Sequence, residues 1–193
     1  FVESQVRDDR SLLDLLRADY TFMNERLARH YGVPKIYGNH FRRVSVVGTG
    51  RSGLLGQGSI LTATSYPNRT SPTKRGLWVL ENLLGAPPPP PPPDVPGLPD
   101  AEHPDTGRSM SMRERMEVHR TSPVCASCHM RMDPLGFSLE NFDGIGTWRT
   151  VEEGTSVDAS ATMPDGTIID GPVGLRDLLL AEEERFAETV AEK

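Results

Sequence analysis

The 193-residue chain has only two cysteines, Cys125 and Cys128, and both stand in one pentapeptide. A zinc site needs about four ligands; with no second cysteine pair, Cys125, Cys128 and His129 fall short of one. A thioredoxin-like dithiol sits in an α/β pattern, and no such pattern is present. No run of about 18 apolar residues occurs, so no segment reads as a membrane-spanning helix. Apolar residues make up 36% of the chain, low for a compact globule, and seventeen prolines and eighteen glycines account for much of the deficit. The net charge of −6 argues against nucleic acid as a partner. Residue 1 is Phe rather than Met, no signal peptide precedes the folded part, and the start falls within a plausible helix. The expectation is an internal piece of a longer protein, or a processed product.

What is present is Cys125-Ala126-Ser127-Cys128-His129. This is the C-x-x-C-H pattern of covalent c-type haem attachment. The two thiols can form thioether bonds to a porphyrin, and His129 can ligate the iron from one face. Positions i, i+3 and i+4 share one side of a helix, so the three groups would project together. Ser122 as N-cap and Pro123 at the first helical position make a good helix start. The alternatives are a disulfide or thiol pair and a metal site. Haem c is attached outside the cytoplasm, so the expected location is periplasmic or otherwise extracytoplasmic, reached through an export signal upstream.

A haem iron held by His129 leaves its other face to a second ligand. The candidates are His119, Met110, Met112, Met116, Met130, Met132 and Met163, or water in an open site. Ser111 and Glu114 form a capping box that starts a helix running to His119 or Arg120. Met112, Met116 and His119 lie at i, i+4 and i+7 on one face of it. Met130 and Met132 stand too close to His129 to reach the opposite face. His119 ranks first and Met163, in a turn-rich loop, second. Phe137, Leu139, Phe142 and Ile145 are candidates to pack on the porphyrin, and Arg149 or Arg131 to pair with its propionates. Glu140 and Asp143 resemble a catalytic carboxylate pair, yet at i, i+3 in a polar turn they read better as caps or ion-pair partners, and no catalytic residue is assigned.

The rest of the chain reads mainly as helix and loop. Residues 1–32 look helical, closed by Gly32. His30, at that helix end, reads as a solvated histidine rather than a ligand. Residues 41–47 alternate weakly, as a strand does. The glycines from Gly48 to Gly58 lack the strand–GxGxxG–helix order of a dinucleotide site. Ser71-Pro72 opens a helix that Gly85 closes, with Leu77, Leu80 and Leu84 on one face and Trp78 beside them. Seven prolines from Pro87 to Pro93 form a polyproline II rod about 22 Å long; a stiff strap is the preferred reading over a docking ligand for an SH3-like groove. Asp133-Pro134 and Gly136 are expected to break the motif helix. Residues 155–171 read as a hairpin turning at Asp165-Gly166. A last helix starts at Gly171-Pro172, with Leu175, Leu178, Leu179, Phe186 and Val190 as its buried stripe.

Taken together, several stretches resemble the planctomycete-type cytochrome c family. They are residues 19–32, Arg51-Ser-Gly-Leu-Leu-Gly56, residues 65–72 and 76–85, His119-Arg120, the CASCH pentapeptide, residues 133–143 and Asp165-Gly166. Members are haem-bearing segments of large exported multi-domain proteins without an assigned reaction. The resemblance implies a helical tail of a preceding domain over 1–35, a cytochrome module over 36–86 and 109–154 with the polyproline strap and linker at 87–108, and a hairpin with the start of a following helical domain over 155–193. It also favours His119 over Met163. The expected fold is mainly α: a loop-rich cytochrome c-like module with flanking helices, a short β-hairpin and a polyproline strap. The expected role is electron transfer through one haem c, with a redox partner protein or other subunits of a larger complex. The rivals are a haem peroxidase- or oxidase-like enzyme with an open sixth iron site, and a haem-stapled structural or assembly domain.

Overall fold

The computed structural model describes residues 1–90, 98, 102, 107, 110–121, 123–152 and 154–193. Most of the expected strap at 87–108 lies outside these residues, as does Ser122; residues 87–90 run at or near the surface in no regular element. The described chain is mainly helical, with three two-stranded antiparallel sheets. In order it forms α1 (Val2–Arg7), α2 (Asp14–Arg17), β1 (Tyr20–Met23), α3 (Glu25–His30), β2 (Arg42–Ser45), a 3₁₀ turn at Leu54–Gly56, α4 (Gly58–Ala63) and α5 (Pro72–Asn82). There follow α6 (Met112–His119), α7 (Pro123–Phe137), β3 (Val151–Glu152), β4 (Thr155–Ser156), β5 (Ser160–Thr162), β6 (Ile168–Asp170), α8 (Gly171–Ala181) and α9 (Glu183–Ala191). No helix among the described residues is long and apolar enough to cross a membrane.

The local signals act where they were read. Ser71 caps α5, its hydroxyl accepting from the Lys74 N–H, with Pro72 at the first position. Ser111 and Glu114 close a reciprocal capping box on α6. Gly32 ends α3 at φ +69°, and the Val33 N–H reaches back to the Ala28 carbonyl at 2.8 Å. The hairpin forms between β5 and β6, in register Ser160↔Asp170 and Thr162↔Ile168. Its loop is the three residues Pro164-Asp165-Gly166, because Met163 N–H already bonds the Thr167 carbonyl.

Three expectations need correction. Residues 1–32 are not one helical stretch: Tyr20–Met23 is a strand, paired with β2 in register Tyr20↔Ser45 and Met23↔Arg42. Aromatic and β-branched residues favour that pairing, and Tyr20, Thr21 and Met23 are buried by it. The motif helix does not stop at Asp133-Pro134 but runs on to Phe137. Pro134 removes one helical N–H, and the carbonyl left without it is that of Met130, an exposed residue. The last helix divides into α8 and α9 at Glu182. The bend brings Leu175, Leu179 and Phe186, all fully buried, into one core.

That core is built on the crossing of α5 and α7. Val79 and Leu80 of α5, with Leu83 at its C-cap, share a buried cluster with Met132 and Leu135 of α7, and each such side chain contributes about 1.5–3 kcal/mol when fully buried. Leu15 and Leu16 from α2, Leu55, Leu61 from α4, and the α8–α9 residues join the same cluster, as Trp78 does at its edge. The crossing is close because a glycine stands on each helix where the other's backbone passes. A methyl on Gly76 would strike the Met132 carbonyl, and one on Gly136 the Pro72 carbonyl. Glycine inside a helix costs about 0.5–1 kcal/mol relative to alanine, so it persists here for space.

Overpacking at this contact should cost about 1–3 kcal/mol. Gly76→Ala and Gly136→Ala are each expected to lower the thermal midpoint by several degrees, at about 2–4 °C per kcal/mol for a chain of this size. Thermal unfolding by circular dichroism checks this; an unchanged or raised midpoint would show that the helices have slack at the crossing.

Candidate functional site

The pentapeptide lies on α7. Cys125, Cys128 and His129 are all half-buried, and neither thiol is in a disulfide. Cys128 packs against the edge of the main core. Continuation of the helix past Pro134 has a direct consequence for His129. Asp133 falls one turn further along on the same face, and His129 Nδ1 lies 3.0 Å from Asp133 Oδ1. With the carboxylate oxygen as acceptor, Nδ1 donates, and in a neutral ring of that tautomer the lone pair lies on Nε2.

Asp133 is completely buried. Its Oδ1 also accepts from the Thr73 hydroxyl of α5 at 3.3 Å. Its Oδ2 has no hydrogen-bond donor among the described residues; the Arg120 guanidinium stands 3.6 Å away and supplies charge without a formed bond. Sequence reading took Asp133 only as a helix breaker. The signal was its i+4 spacing from His129, hidden by the assumption that Asp-Pro ends the helix.

His119 is the last residue of α6 and meets His129 edge to face, with ring centroids 5.3 Å apart and planes at 72°. The expected shared face of Met112, Met116 and His119 explains this. Met112 and Met116 are buried against Phe137, anchoring α6 on the end of α7 and turning His119 toward His129. The Phe137 ring also lies under the Arg113 guanidinium, 4.2 Å from its centroid.

The other candidates are distributed elsewhere. Phe142 is fully buried in the main core, its ring 5.2 Å from that of Trp148 and under Arg51. Arg149 is engaged by Glu140, at 3.0 Å, and by Glu152. Met163 is half-buried where the β5–β6 hairpin turns, against the main core. Met110 and Met132 are buried, whereas Met130, Arg131 and Ile145 are exposed. Among the described residues no group of three or more His, Cys, Asp or Glu side chains converges as a metal site. His30 gives its ring nitrogen to the Ile145 carbonyl at 2.8 Å.

Glu140 and Asp143 belong to a buried polar network that Arg75 organises from α5. One Arg75 nitrogen donates to the Leu139 and Phe142 carbonyls and to Glu140 Oε1, at 2.8, 2.7 and 3.1 Å. The other donates to the Asp143 carbonyl and the Ser65 hydroxyl. Glu140 Oε2 accepts from Thr70 at 2.7 Å and from Arg149. Burial pulls the Arg75 guanidinium below its ordinary value and lifts the Glu140 carboxyl, and the facing charges oppose both shifts. The Asp143 carboxylate accepts from the Ile145 and Thr147 N–H groups, capping the turn that carries the chain to Arg149. Arg51, also buried, ties this turn to the 51–56 segment through the Gly146 and Gly56 carbonyls. Desolvation lowers its guanidinium to about 10. Both acids therefore hold the loop after α7 in shape.

Residues 51–152, more than half of the chain, match the PSCyt3 family, described as a protein of unknown function (DUF1588). The chain belongs to the PSCyt3 family. Residues 1–33 match a second family, PSD4, also described as a protein of unknown function (DUF1592). Both are domains of the planctomycete cytochrome c type. No curated protein and no solved structure matches the chain. The PSCyt3 match includes the pentapeptide, His119, Asp133, Arg75 and Glu140, so the whole constellation lies within one domain type.

In this PSCyt3 domain, Arg75→Met leaves a buried carboxylate and three carbonyls short of a donor. Removing one partner of a buried charge pair costs about 3–5 kcal/mol. Urea unfolding is expected to show a loss of that size, with Glu140→Gln losing less because the amide oxygen can still accept from Thr70 and Arg149 while Arg75 keeps its three carbonyl acceptors. An Arg75→Met loss below about 1 kcal/mol would mean that the loop is held by other contacts.

Proposed function

We propose that the chain is an extracytoplasmic c-type cytochrome module that carries electrons through one covalently attached haem within a larger assembly. The observation that carries the reading is a C-x-x-C-H sequence on a helix whose histidine is anchored at Nδ1 by the buried Asp133. A tethered haem needs two thiols not tied to each other and an imidazole with Nε2 available; Cys125, Cys128 and His129 meet that requirement on one helix face. Bound there, the haem supplies reversible one-electron exchange at its iron.

In this reading Cys125 and Cys128 would hold the porphyrin and His129 would ligate its iron through Nε2. His119 would be the second iron ligand, favoured over Met163 because its ring lies beside His129. Phe137 lies under α6 beside this pair, whereas Arg149 is committed to Glu140 and Glu152 and is an indirect support of the site. Haem c attachment outside the cytoplasm sets the compartment, and electron transfer calls for a redox partner protein or neighbouring subunits.

Exported through a cytochrome c maturation pathway, the purified chain is expected to be coloured and heavier by one haem. Cys125→Ser together with Cys128→Ser abolishes the covalent mass increase. The wild-type ferrous Soret band is expected not to move with carbon monoxide, whereas His119→Ala opens the site and produces the shift. A colourless, unmodified wild-type chain would sink the reading. A wild-type shift with carbon monoxide would move the assignment to the open-site enzyme.

A further inference from the structure

We propose that Asp133 is a positioning residue for His129, and that its carboxylate, offset by Arg120, sets the reduction potential of the attached haem. The inference rests on the cytochrome reading and deepens it by naming the residues that tune the iron.

Three observations carry it. The first is burial: the Asp133 side chain has no exposure, and an ionisable group in that state is retained only where it has partners or a task. The second is aim. Oδ1 receives both His129 Nδ1 at 3.0 Å and the Thr73 hydroxyl at 3.3 Å. The carboxylate is thus clamped between α5 and α7 and fixes the imidazole's rotation and tautomer. The third is incomplete satisfaction. Oδ2 has no donor among the described residues, and Arg120 stops at 3.6 Å. Glu140, also buried, has both oxygens bonded to donors. Part of the negative charge on Asp133 is therefore left to act along the His129 ring.

The chemistry follows from the hydrogen bond. A carboxylate accepting from Nδ1–H draws that proton toward itself and raises electron density at Nε2, making the imidazole a stronger donor to its metal. A stronger donor and a nearby negative charge both favour the more positive, oxidised iron and lower the potential. Arg120 acts in the opposite sense by neutralising Oδ2. Its side chain is a quarter exposed, so it can be changed without opening the core. Three contacts separate these effects from packing: Thr73 locks Oδ1 in place, His129 transmits the charge, and Arg120 moderates it.

The test is a redox titration of the holoprotein in three forms. Asp133→Asn keeps the shape and a partner for Nδ1 but removes the charge. It is expected to raise the potential by about a tenfold change in the redox equilibrium, the lower end for loss of an outer-shell partner, which is ~59 mV for a one-electron couple. Arg120→Gln unmasks the carboxylate and is expected to lower the potential. Nuclear magnetic resonance of the ferrous protein adds a second readout: the His129 Nδ1 proton exchanges slowly in the wild type and faster in Asp133→Asn. A merely structural role for Asp133 predicts no opposed shifts, and shifts of the same sign, or none, overturn the assignment while leaving the haem in place. If Asp133→Asn fails to fold, Arg120→Gln alone decides, because an unchanged or raised potential contradicts the proposal. A wild-type chain without haem overturns this inference and the cytochrome reading together; a haem-bearing chain with unmoved potentials overturns this inference only.

Discussion

Two helices that touch backbone to backbone set the terms for everything else in this molecule. Gly76 of α5 and Gly136 of α7 let each helix pass the other's carbonyl, and the polar contacts made from α5 depend on that separation. Thr73 reaches Asp133, and Arg75 reaches the carbonyls of the loop following α7 as well as Glu140. A wider crossing would leave Asp133 with one donor fewer and would draw the Arg75 guanidinium away from the loop. The apolar cluster around the crossing then collects α2, α4, α8 and α9, so that segments matching two different families share one interior.

Among the described residues two acids are buried, Glu140 and Asp133, and their surroundings differ. Glu140 is surrounded by Arg75, Arg149 and Thr70, and its charge is spent inside a closed network. Asp133 shares one oxygen between an imidazole and a hydroxyl and leaves the other short of a donor. Buried polar groups are nearly always satisfied, so the under-satisfied one marks the place where the protein holds charge ready for a neighbour. That neighbour is the histidine of the C-x-x-C-H sequence, which on the proposed reading is an iron ligand.

Much of this was legible from residues alone, and the pattern of successes has a physical basis. The α5 cap, the α6 capping box, the Gly32 helix end and the Pro164-Asp165-Gly166 hairpin are all contacts within a few residues. Their chemistry is complete in the local sequence. The shared face of Met112, Met116 and His119 was readable for the same reason, since α6 is regular over its whole length. The misreadings involve distant partners. Tyr20–Met23 becomes a strand because Arg42–Ser45 lies beside it. The helix survives Pro134 because packing against α5 outweighs one missing hydrogen bond, and with it Asp133 became visible as a partner of His129.

The amino-acid order by itself determined the helical character, the caps and turns, the C-x-x-C-H pentapeptide and the resemblance to planctomycete-type cytochromes c, because each of these is written in neighbouring residues or in fixed spacings. Only the tertiary structure decided that Asp133 holds His129, that His119 lies against it, and that Arg75 and Arg149 are the partners of Glu140. Those three facts depend on which side chains meet across a helix crossing, and that meeting is selected by packing energy summed over the whole core rather than by any local signal.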